Sequence, residues 1–171
     1  MPEFLTNPVF WSTLASIATV LGVAVVIPAA IIALWQLIEM RKARHLEAML
    51  QVYEMFGSKA SRKERRFIYN ELNYSSPEAF TSEELEIVEH VSVTFERIGK
   101  LVESDLVPAN ELLEGHCEVI IRSWNRLKPY IKHRRDKGDG RYGKHFETLV
   151  DLALKYHSKH FPDENLEIVK Y

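Results

Sequence analysis

The chain predicts an all-α protein: an N-terminal transmembrane helix continuing into a cytoplasmic bundle of four or five helices. Three observations carry this. An uncharged apolar stretch runs without a break from Phe10 to Ile38. After residue 40, apolar residues recur at the three-four spacing of one-sided helices. Alternating β-branched runs bounded by hairpin turns are missing. The expected divisions are a short extracytoplasmic N-terminus (1–9), the membrane helix (10–40), the bundle (41–160) and a C-terminal tail (161–171).

The first 40 residues hold no Lys or Arg, and Glu3 and Glu39 are their only acids. As a helix, "FWSTLASIATVLGVAVVIPAAIIALWQLI" is about 43 Å long, against a hydrocarbon core of roughly 30 Å. A secretory signal fits poorly, because no cationic n-region precedes the stretch and no small-residue cleavage site follows it promptly. The flank "RKARH" (41–45) places the following residues in the cytoplasm and the N-terminus outside, as a single-pass protein of the bacterial inner membrane. Trp11 and Trp35 sit near the two ends, where amphipathic rings favour the interface. Ser12, Ala15, Thr19, Gly22, Ala29 and Ala33 recur at near-helical spacing, with Ala18 and Gly22 a small-xxx-small pair. Small residues let helix backbones approach, so this stripe is a candidate homo-oligomerisation face, and in a pore its Ser and Thr would be the polar lining. Ala and Gly are also common in spans that associate with nothing. Pro28 removes one backbone hydrogen bond and predicts a bend. With no charge inside the stretch, a proton relay or transporter mechanism lacks its chemistry.

"RKARHLEAMLQVYEMFG" carries the helix onward, with Leu46, Met49, Leu50, Tyr53 and Phe56 as its expected apolar face and Gly57 as its end. A short helix over about 62–72 offers Phe67, Ile68 and Leu72, and "NYSSPEAF" reads as a turn region. Thr81 and Glu84 form a capping box that opens a third helix, with Leu85, Val88, Val91, Phe95, Ile98 and Val102 facing inward. Pro108 suits the first turn of a fourth, carrying Leu112, Leu113, Val119, Ile120 and Trp124. "DKGDGRYG" (136–143) is a loop before a last helix over 144–160, with Phe146, Leu149, Val150, Ala153 and Tyr156 inward. The tail "FPDENLEIVKY" either docks on a neighbour or stays mobile.

All 22 basic residues lie from Arg41 onward, balanced by as many acids, which argues against a generally basic nucleic-acid-coating surface and leaves room only for local patches. The single cysteine, Cys117, excludes an intrachain disulfide or a cysteine-based zinc cluster and reads as a small core residue. No glycine-rich phosphate loop or nucleophile elbow is present, and no cofactor is called for. His157 and His160 can share a helix face, but a third metal ligand at convincing spacing is missing. Glu96 with Arg97, and Lys100 with Glu103, read as surface pairs.

The stretches "ERIGKLV" (96–102), "SWNRLKPYI" (123–131) and "FETLV" (146–150) resemble a family of short, membrane-anchored helical proteins of unknown function, over roughly residues 41–157. Within that class the architecture is similar to the small membrane accessory proteins of type VI-B CRISPR systems. The resemblance implies an HEPN-like bundle, a homo-oligomeric pore in the lipid bilayer, and an RNA-guided nuclease system as the functional partner. It equally suits an uncharacterised membrane protein outside defence.

"RLKPYIKH" (126–133) has the Arg-(x4–6)-His spacing of HEPN ribonucleases, at its upper limit. In that chemistry His acts as acid or base toward the ribose 2′-OH and Arg holds the scissile phosphate. Arg126 and His133 are therefore the candidate catalytic pair. With 7 His and the Arg present, about one such match is expected by chance, and one occurs. Pro129 is expected to break the helix between the two residues. The alternatives for Arg126, Lys128, Lys132, His133, Arg134 and Arg135 are a basic binding patch for phosphate, lipid head groups or an acidic partner, or a solvated helix end. The expected function is a non-enzymatic membrane pore, with a membrane-tethered ribonuclease and a non-pore scaffold as alternatives; direct RNA binding stays open.

Overall fold

A computed structural model of the chain describes residues 8–73 and 77–162, apart from the side chains of Pro8, Ala18, Val20 and Val23. All regular structure among these residues is helical: α1 (Pro8–Gly57), α2 (Lys59–Asn70), a 3-10 turn (Pro77–Ala79), α3 (Ser82–Glu103), α4 (Ala109–Asp136) and α5 (Lys144–His160). Glu3, part of the turn region at 74–76, the Ala18 side chain and the tail from 163 onward lie outside the described residues. The chain divides into two compact units, Met1–Arg44 and His45–Tyr171, a few residues beyond the boundary expected at 40.

The first unit contains the N-terminal part of α1, and its described residues from Val9 to Arg44 are all exposed. By length and composition α1 is able to cross a membrane: a window within Ala24–Gly57 has a mean hydropathy of 1.6 and no buried residue. Helix assignment continues through Pro28. The polar side chains here close on their own backbone. Ser12 and Thr13 donate to the Val9 carbonyl at 2.9 Å, Ser16 to Ser12 at 2.9 Å, and Thr19 to Ala15 at 2.8 Å.

The second unit is the bundle. α2 is capped by Ser58, whose hydroxyl accepts from Ser61 N at 3.1 Å. Arg65 donates to the Phe56 carbonyl at 2.6 Å, satisfying an orphan acceptor at the end of α1. The capping box of α3 forms as expected: Thr81 N donates to Glu84 Oε2 at 2.7 Å, and Glu84 N to Thr81 Oγ1 at 3.2 Å. Phe95, Phe146 and Trp124 meet at the centre, with Phe95 stacked on Phe146 at 4.6 Å and Trp124 edge-on to Phe146 at 5.1 Å. Cys117 is buried, as a core residue.

Three expectations are corrected. Along α1, the residues that enter the core are Ala48, Met49, Val52 and Phe56, whereas Leu46, Leu50 and Tyr53 stay exposed. The apolar arc there is wider than the face the bundle covers, and periodicity cannot say which part is used. Leu85 is also exposed; it lies one turn ahead of Val88, the first buried residue of α3. Finally, Pro129 does not break α4, which runs on to Asp136. Pro129 and Asn125, whose carbonyl loses its partner, both lie on the solvent side, where water can take over. Leu127, Tyr130 and Ile131 are buried on the opposite side and hold the helix through the proline.

α3 and α5 cross at Gly99. A Cβ there would overlap the His145 carbonyl group, coming within 2.6 Å of its carbon. Gly99→Ala is therefore expected to force the two helices apart and destabilise the bundle by about 2 kcal/mol. Thermal unfolding of the full chain in detergent, followed by circular dichroism, measures this as a lowered midpoint.

Candidate functional site

Because α4 is continuous, Arg126 and His133 lie on one helix. Seven residues turn about 700°, so the two project from nearly the same face, two turns and about 10 Å apart. His133 is mostly shielded and its Nδ1 lies 3.8 Å from Glu78 of the 3-10 turn. Helical geometry thus links the candidate pair where a break at Pro129 would have separated it.

The rest of the basic segment is extensively engaged. Arg134 reaches Glu89 at 3.2 Å and Asp139 at 3.7 Å, and its guanidinium lies 4.8 Å from the centre of the Tyr142 ring. Arg135 donates through Nε to the Tyr142 carbonyl at 2.8 Å and pairs with Glu147 at 2.8 Å. These bonds fasten the 137–143 loop and the first turn of α5 to the end of α4. His133, Arg134 and Arg135 also occupy the last turn of α4, where cations favour the helix dipole. Lys128 and Lys132 are exposed. Lys128 borders a groove of about 430 Å³ between α4 and α5, floored by Ile121, Trp124 and Val150, with Glu147 and Asp151 opposite. The segment offers an external anion two exposed lysines, while two of its arginines already bind carboxylates.

Glu96 has a role that sequence reading missed. Its carboxylate accepts from His145 N at 3.2 Å and from Phe146 N at 2.8 Å. Gly143, at the N-cap of α5, has no side chain to do this, so Glu96 caps α5 from α3 and places a negative charge on its dipole. Glu103, expected to pair with Lys100, bonds His145 Nδ1 at 2.6 Å instead. Hydrogen bonds from Thr148 and His145 hold its carboxyl below the usual range. The only sequence signal was a glycine, Gly143, where a side-chain cap is expected. Nothing local identified Glu96 as its replacement.

Among the described residues, no group of three His, Cys, Asp or Glu is placed to hold a metal ion. His157 is buried and His160 stacks on Tyr156 at 4.3 Å. His116 packs 4.3 Å from the Phe56 ring and 5.8 Å from Tyr53. Its Nδ1 is shut from water and faces the Leu112 carbonyl one turn back without a hydrogen bond of good geometry. Burial pushes its pKa below the ordinary 6.5, with Arg65 adding to the effect. The unfolded chain therefore takes up this proton first as pH falls. Stability from neutral His116 is full above pH 6.5 and declines below it. His116→Gln is expected to flatten the pH dependence of the unfolding midpoint just below pH 6.5, as thermal melts across that range would show.

Residues 23–153 match a family described as a domain of unknown function (DUF4760), a match that begins inside the apolar helix and ends within α5. No curated protein and no solved structure matches the chain. With most of its length covered by that match, the chain belongs to the DUF4760 family.

Proposed function

We propose that the protein is a single-span inner-membrane protein, N-terminus outside and bundle in the cytoplasm, that works as a homo-oligomer and permeabilises or depolarises the membrane without chemistry of its own. The observation that carries this is the first unit. Its apolar residues are exposed, Trp35 at 77 %. The Ser and Thr hydroxyls named above close on the helix, so they can enter lipid without an unmet hydrogen bond. Arg41, Lys42 and Arg44 follow directly and favour the cytoplasmic side. An aqueous pore needs several copies, because one helix encloses no lumen. The defence setting, with an RNA-guided nuclease system nearby, rests on the resemblance of 96–102, 123–131 and 146–150.

A second reading, a membrane-tethered ribonuclease, is favoured by one observation: Arg126 and His133 share a face of α4. A scaffold that recruits a cytoplasmic partner is the third.

Cells producing the full chain with an active RNA-guided nuclease are expected to lose membrane potential, read with a voltage-sensitive dye. Leu21→Arg with Val25→Arg, which places charge in the span, is expected to prevent it. Cells that stay polarised with the unaltered chain would overturn the pore and leave the scaffold. In vitro, the purified chain is expected to leave RNA uncut in chelator. Metal-independent cleavage abolished by both Arg126→Ala and His133→Ala would establish the ribonuclease instead.

A further inference from the structure

Leu46, Leu50 and Tyr53 are 63 %, 60 % and 47 % exposed, on a part of α1 whose other apolar residues enter the core. Their four-three spacing places them within about 60° of one another, roughly 100° around the helix from the buried face. Arg41, Lys42 and Arg44 separate them in sequence from the apolar stretch that ends at Ile38, so on the membrane-span reading lipid does not cover them. A protein surface packed on them would remove this apolar area from water.

We propose that this surface is the same face of α1 in a second copy of the chain, packed in parallel. The sequence count supports this occupant. Stepping back by sevens from Leu50 meets Ala43, Gln36, Ala29, Gly22 and Ala15, and from Tyr53 meets Leu46, Glu39, Ile32 and Val25. In sequence the exposed stripe thus shares a heptad register with Ala15, Gly22, Val25, Ala29, Ile32 and Ala43, with Gln36 and Glu39 as its polar positions. Charge agrees. In this register Lys42 is a flanking g position and Glu47 the e position five residues on, the pair that meets between parallel helices. Glu39, the one acid in the seam, has Lys42 of its own chain at 3.6 Å. The parallel direction rests on the membrane-span reading above, since copies inserted the same way run the same way.

The test is the mass of the full chain in detergent by light scattering, for the wild type and for Leu46→Glu with Leu50→Glu. The wild type is expected to be oligomeric. The double variant is expected to fall to monomer at the same concentration, with its unfolding midpoint little changed because both residues are exposed. In a Cys117→Ala background, Leu50→Cys is expected to form an intermolecular disulfide and Gln51→Cys to form none. A double variant that stays oligomeric, with no cross-link at position 50, overturns this interface and leaves the oligomeric reading standing. A monomeric wild type overturns both.

Discussion

The bundle depends on the crossing of α3 and α5. At that point Gly99 leaves room for the His145 carbonyl, and Glu96, one turn earlier, supplies the cap that α5 lacks. The two features require each other. Without close approach the Glu96 carboxylate would not reach the first amides of α5, and without the cap those amides would be left unsatisfied at a packed junction. The same approach seats Phe146 against Phe95 and Trp124, so the aromatic centre forms where the helix is capped. "ERIGKLV" and "FETLV", prominent in the family resemblance, are largely the two sides of this contact. Their role here is architectural.

The basic end of α4 gains a different meaning from its surroundings. In sequence it is a cluster of positive charge beside a proline. In the fold, Arg134 and Arg135 spend their donors on Glu89, Asp139, Glu147 and the Tyr142 carbonyl, fixing the loop that leads into α5. Partly shielded pairs of this kind contribute modestly to stability but constrain geometry through directed donors. Lys128 and Lys132 remain the exposed cations, and continuity through Pro129 brings Arg126 and His133 onto one face.

α1 changes character along its length. Its N-terminal part is apolar and exposed, with hydroxyls folded back on the helix; its last turns use one face for the bundle and leave another apolar face uncovered. Exposed apolar residues along a helix have a cost in water that burial against lipid or protein removes.

Local pattern in the chain was enough for the all-helical class, the apolar N-terminal helix and the approximate position of each helix, though not for the end of α4. Apolar spacing, the Thr81–Glu84 box and the glycine-rich loop act within a few residues of where they are read. Choices between long-range partners were settled by packing alone. Leu46, Leu50 and Tyr53 were indistinguishable from Met49 and Phe56 until the bundle covered one face. The proline in α4 was an expected break until buried Leu127, Tyr130 and Ile131 held the helix across it. Glu96 was an ordinary surface acid until a helix start almost fifty residues away came to its carboxylate. Local pattern specifies an element through neighbouring backbone; which face is buried, and what caps a helix without its own cap, depends on packing between segments remote in sequence.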